Sequence, residues 1–161
     1  MRSILITITI LLLVGMYSCK KETNPNFPNE PQIYYNSISQ RTVDFFDTNT
    51  RVIINCGFND GDGNIGTTGD STITLLDYRS DTLFRMYKFN FPVIPKDYRK
   101  NVWLQGTFTV QLNSNLYFTP RLDSVHLQSK KDTIVYKIFI QDEAGNVSDT
   151  VSTDSVYVYT K

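Results

Sequence analysis

One histidine, two cysteines and one tryptophan are all that this chain of 161 residues holds of those three types. A lone histidine with no usable thiol beside it excludes a zinc centre, which needs several nitrogen or sulfur ligands. That histidine, His126, lies in Asp123-Ser124-Val125-His126-Leu127, a strand-like stretch with no nucleophile elbow or oxyanion loop. A Ser/His/Asp triad therefore has nothing to stand on, and an edge-strand or surface histidine is the simpler reading. Charge of one sign is also lacking. Sixteen basic and sixteen acidic residues cancel, and no basic tract stands out, so nucleic acid is not an expected partner. No window keeps a 3.6-residue apolar period, which removes helical architectures. No repeat of useful length is present, which removes solenoids.

What is present is strand-forming material. Aromatics make up 13% of the chain, with ten Tyr and ten Phe, and with Val, Ile and Thr they favour pleated, half-buried surfaces. Seven main strands follow one another: 33–38, 51–58, 72–78, 84–91, 102–112, 132–141 and 151–159. A short extra one is expected at 122–127. Val52, Ile54, Cys56 and Phe58 alternate onto one face, as do Ile134, Tyr136, Ile138 and Ile140. Short strands separated by turn signals predict an all-β fold, an immunoglobulin-like β-sandwich of about seven antiparallel strands. Cys56, in phase with its apolar neighbours, reads as a small buried hydrophobe. A reactive thiolate would need a basic, exposed neighbourhood.

Residues 1–18 stand outside this pattern. Arg2 is followed by the apolar run Ile4–Val14, too short to span a bilayer comfortably but the length of a signal-peptide core. The segment resembles a bacterial lipoprotein signal, with Met16-Tyr17-Ser18-Cys19 in the lipobox place. That resemblance implies that Cys19 is the lipidated residue and that the membrane is reached through its lipid. Residues 19–31, with three prolines and three asparagines after Lys20 and Lys21, read as an extended, unpacked tether. The domain proper is expected over 32–161.

The stretch with chemistry in it is Asp60-Gly61-Asp62-Gly63-Asn64-Ile65-Gly66, directly after the second strand. Asp60, Asp62 and Asn64 are two residues apart, so their oxygens converge only if the backbone curls. Glycines at 61, 63 and 66 allow that, because glycine enters positive φ freely. Several oxygens around one point suit a hard cation such as Ca²⁺. The stretch starts like an EF-hand loop but departs from it: Ile65 stands at the sixth position, Ser71 at the twelfth, and no helices flank it. The competing reading is an ordinary turn, since Asp-Gly and Gly-Asn are turn dipeptides. In an up-and-down sandwich the 60–70 loop and the 142–146 loop fall at the same end. Asp142 is therefore a further expected metal ligand, with Asp70 another at the far end of the loop. Acidic groups gathered without a cation would repel one another.

The 58–66 stretch, followed late by Ile140-Gln141-Asp142-Glu143-Ala144-Gly145-Asn146-Val147-Ser148, resembles a group of Bacteroidota lipoproteins with a single Ig-like domain behind a lipid anchor and a tether. The resemblance implies a cell-envelope location, at the outer membrane, and implies no reaction; Glu143 stands where such proteins often have Arg. The expected role is therefore structural or accessory, without catalysis. The alternative is a module that binds a glycan or a protein through the 92–103 segment. There Tyr98 and Trp103 are stacking candidates and Arg99 is a donor.

Overall fold

The computed structural model describes residues 26–99, 102–113, 115–120 and 130–160. Nine strands lie among them: β1 Gln32–Ile38, β2 Thr42–Asp44, β3 Val52–Asp60, β4 Thr72–Arg79, β5 Thr82–Asn90, β6 Leu104–Leu112, β7 Lys131–Gln141, β8 Val151–Ser152 and β9 Val156–Tyr159. One sheet runs β1-β3-β6. The other runs β2-β9-β7-β4-β5, with β8 beside β7. Two mainly antiparallel sheets face each other, and the fold is an Ig-like β-sandwich.

Strand phase explains the core. Val52, Ile54, Cys56 and Phe58 of β3 meet Ile134, Tyr136, Ile138 and Ile140 of β7 in one buried cluster, because alternate residues of a strand face the same side. Phe58, Phe91 and Phe108 pack as an aromatic trio at one end, with Phe91 5.2 Å from each of the other two ring centroids. Cys56 lies within this core and is fully buried, as its phase predicts. Burial pushes its thiol up to about 12, so it stays protonated and inert.

Three details differ from the sequence reading. β2, only three residues long, was not foreseen, and it pairs parallel to β9; a period of two is not visible over three residues. The expected last strand is split into β8 and β9. Between them Thr153 turns inward, its N–H donating to the Tyr136 carbonyl and its hydroxyl accepting from the Tyr136 N–H. The stretch before β1 is packed at its end, since the Gly61 N–H donates to the Pro28 carbonyl. The expected strand at 122–127, His126 and Cys19 lie outside the described residues.

The β4–β5 hairpin turns through Ser80 and Asp81, both at positive φ (49° and 62°), the conformation of a two-residue primed turn. It places the start of β4 and the end of β5 at the pole where β3 and β7 end.

Candidate metal centre

β3 carries its inward phase one step beyond the apolar residues, from Val52, Ile54, Cys56 and Phe58 to Asp60. Asp60 is therefore 0% exposed, a carboxylate delivered to the mouth of the core. β7 does the same with Asp142, the next inward position after Ile140, and Asp142 is buried too. Carboxylate oxygens of Asp60, Asp62 and Asp142 lie within 4.8 Å of one another. Among the described residues no ion pair reaches any of the three.

Asp60 and Asp62 each spend one oxygen on holding the 60–66 loop, and Asp142 uses both of its oxygens in the 142–146 turn. Asp60 Oδ2 accepts from the Ile65 N–H (2.8 Å), and Asp62 Oδ2 accepts from Asn64 Nδ2 (2.9 Å). Asp142 accepts from the backbone N–H and the side-chain amide of Asn146, both at 2.8 Å. What remains is unusual. Asp60 Oδ1, Asp62 Oδ1 and Asn64 Oδ1 are all buried without a hydrogen-bond partner. A buried polar atom left unpaired costs about 1–3 kcal/mol, more when charged, and here three acceptors from one loop share that condition. Burial raises the Asp60 carboxyl to about 6, and the charges of Asp62 and Asp142 push the same way. A hard divalent cation would satisfy all three oxygens and remove the repulsion. Asp60, Asp62 and Asp142 could hold such an ion, with Asn64 Oδ1 beside them.

The loop around them is built to stay curled. Ile65 is fully buried and anchors it in the core, worth roughly 1.5–3 kcal/mol for a side chain of that kind. Gly63 and Gly66 take positive φ (63° and 65°), as the turn requires. Gly61 does not; its role is close approach, since a Cβ there would lie 2.4 Å from the Phe27 and Pro28 carbonyl oxygens. Ser71 Oγ accepts from the Gly66 N–H and closes the loop on itself, leaving 67–70 as an outer lobe. Asp70 is in that lobe. It is exposed, accepts from Thr68 Oγ1, and is not brought to the cluster. It is withdrawn as a ligand.

Two residues tie the loop to its neighbours. Glu143 accepts from the Thr67 and Thr68 N–H groups and from the Thr67 hydroxyl. Burial alone would raise its carboxyl, but these donors bring it below its usual value. Sequence reasoning left Glu143 without a role, because its partners lie far along the chain. Arg99, expected to reach a ligand, instead turns back on its own fold. It donates to the carbonyls of Ile94, Gly66 and Thr67. Trp103 is half-buried and takes the edge of Phe27, with ring centroids 5.7 Å apart at 77°. Tyr98 alone of the three is free in the expected sense, at 78% exposed.

Fold and site together define an Ig-like domain with an oxygen-lined candidate cation site between two loops at one pole. No family model matches the chain, and no curated protein matches it. Among solved structures it is similar to the CARDB domain of a Pyrococcus furiosus protein in complex with di-metal ions. The identity is 10%, the match covers 84% of this chain and 97% of that one, and the TM-score is 0.32. A second crystal structure, a structural-genomics target, matches at 10% identity over 81% of this chain and 84% of that one, with a TM-score of 0.24. At such scores neither likeness bears on the metal or on the role of this chain.

Proposed function

We propose that this protein is a lipid-anchored cell-envelope protein whose Ig-like domain is held in shape by one Ca²⁺ and serves a structural or accessory role without catalysis. The observation that carries the cation is the trio of buried, unpartnered oxygens on Asp60, Asp62 and Asn64, with Asp142 closing the set. Calcium suits it because all donors are oxygens and because an extracytoplasmic site need hold the ion only at Kd ~10⁻⁴–10⁻³ M. Magnesium demands stricter octahedral geometry and sheds water reluctantly. The anchor rests on the lipoprotein-like signal ending at Cys19, and with it the placement at the outer membrane.

Binding to the native state alone contributes RT ln(1 + [L]/Kd), about 2.7 kcal/mol at a hundredfold excess over Kd. Calcium should therefore raise the melting temperature over that in EDTA, and Asp62→Ala should erase the difference. Identical wild-type melting curves in calcium and EDTA overturn the cation. Cys19→Ala should release the protein from the membrane fraction, and retention of that variant overturns the anchor.

A second reading has one observation behind it. Exposed Tyr98 and Val93 border an apolar groove of about 350 Å³ that runs over Gly106 and Phe108 of β6. A glycan or protein partner docking there would be lost with Tyr98→Ala. Arg99 is left out of that test, because its guanidinium holds the loop.

A further inference from the structure

The loop alternates in what it offers. Positions 60, 62 and 64 turn oxygens toward the candidate ion, while positions 61 and 63 are glycines that expose bare backbone to two other segments. The Gly61 N–H donates to the Pro28 carbonyl at 2.9 Å. Over Gly63 lies the Val102 carbonyl, which a Cβ there would meet at 1.9 Å. Phe27, next to Pro28, then closes on Trp103, next to Val102. The N-terminal arm, the loop and the entry to β6 are stacked through alternating positions of one five-residue stretch.

We propose that cation binding by this loop is coupled to docking of the N-terminal arm at Phe27–Pro28, so that the ion sets whether the arm is clamped to the domain or released. The coupling rests on the calcium reading of Asp60, Asp62 and Asn64. Its physical basis is that Gly61 shares its two peptide planes with two ligands. When Asp60 and Asp62 both face the ion, the Gly61 N–H faces outward at the arm. Without the ion, neighbouring carboxylates repel and the stretch is no longer held in that alternation. Ordering the arm opposes docking, and one N–H bond with one aromatic pair is a small return unless the loop is already fixed. Release of residues 27–31 would free at most about 16 Å of extended chain, at about 3.3 Å per residue. Linkage is reciprocal, so the docked arm must also tighten the ion.

Trp103 is the only tryptophan, and it sits under Phe27, which makes it the reporter. CaCl₂ is titrated into the EDTA-stripped full chain. Calcium uptake is followed by equilibrium dialysis, and Trp103 shielding by acrylamide quenching. In the wild type, uptake should be accompanied by at least a twofold fall in the quenching constant. Phe27→Ala removes no ligand. It should still take up one calcium, show no calcium-dependent change at Trp103, and bind about fivefold more weakly, a modest allosteric coupling. Gly61→Ala, which places a Cβ on the arm's carbonyls, should behave the same way. Uptake with unchanged Trp103 quenching in the wild type overturns the coupling and leaves the metal site standing. So does a Phe27→Ala protein that matches the wild type in both affinity and shielding. No calcium uptake by the wild type overturns the metal reading and the coupling together.

Discussion

The two poles of the sandwich solve the same electrostatic problem in opposite ways. β7 supplies an acid to each, Asp132 at its start and Asp142 just past its end, on one inward-facing stripe and roughly 33 Å apart at strand rise. At the first pole Asp132 and Asp77 are buried around Arg79, itself 1% exposed. Arg79 binds Asp77 through two parallel hydrogen bonds (2.9 and 2.7 Å), binds Asp132 at 2.8 Å, and donates to the Thr119 carbonyl. The Arg79 guanidinium carbon lies over the Phe84 ring, 4.2 Å from its centroid. Burial would lower the Arg79 pKa, but the two carboxylates outweigh it and raise it. At the other pole three acids meet without any such group among the described residues, and three oxygens stay unpaired. A buried charge persists only when it is compensated. The chain carries its own cation at one end, and at the other it gathers acids that could hold one from solution.

The sharpest way to break this comparison is to remove the internal cation. Arg79→Leu leaves two carboxylates buried and unpaired, and should cost about 3–5 kcal/mol, read as a fall in the urea midpoint with calcium present. An unchanged midpoint would mean that the Arg79 pole contributes nothing.

Paired neutralisations should move stability in opposite directions. Asp77→Asn cannot keep both parallel bonds to Arg79, because one of its two terminal atoms is a donor; it should lose about 1–3 kcal/mol. Asp60→Asn removes a desolvated charge from the pole with the three acids. In EDTA it should gain about 1–2 kcal/mol, since one pKa unit corresponds to 1.36 kcal/mol, while its response to calcium shrinks. If both variants destabilise the EDTA-treated protein equally, the two poles are not different in kind.

Acidity sharpens the same contrast. The Asp60 carboxyl stands at about 6 in the fold against 3.8 outside it, so the native state holds the proton more tightly. This contribution is fully present below the unfolded value and is lost as pH rises through about 6. In EDTA, acidification from pH 7 toward 5 should therefore stabilise through Asp60. In calcium the same change should weaken the ion's effect, because protons compete for its ligands. A melting series across that range in each condition checks both signs, and Asp60→Asn should flatten both.

The smallest expected effects belong to the loop's outer side. Glu143→Gln should lose about 1 kcal/mol, the net scale of one ordinary hydrogen bond, because the site is largely open to solvent. Because the Glu143 carboxyl lies below its usual value, its contribution is present above the unfolded pKa and fades as pH falls through the folded one. Tyr98→Ala should stay within about 0.5 kcal/mol of wild type, as surface changes do. A larger loss from Tyr98→Ala would place that ring inside the scaffold.

Much of the candidate site could be read from strand phase. Asp60 falls in register with Val52 to Phe58, and Asp142 with Ile134 to Ile140, so the same alternation that defines the core carries both acids inward. The Arg79 pole was equally open to that reasoning, since Asp77 and Arg79 are in phase with Ile73 and Leu75. Phase alone places both inside, yet it does not say that they would meet as an ion pair. Asp70 shows the opposite limit. Past Asn64 the chain is an irregular loop, where spacing no longer says which way a side chain turns.

By itself the sequence determined the strands, their inward faces and the oxygen-rich loop, because these depend on alternation and turn chemistry within a few residues. It did not determine which acids would meet or what would neutralise them. That was decided when the strands paired and the two sheets packed face to face. Packing brought the end of β7 to the end of β3, Arg79 to Asp132 across β4 and β7, and Glu143 onto the 60–71 loop. It also laid Phe27 and Pro28 on Gly61 and Val102 on Gly63, two glycines whose missing side chains leave room for those segments. Such meetings depend on the neighbours that the folded chain supplies to each strand end, which no local pattern contains.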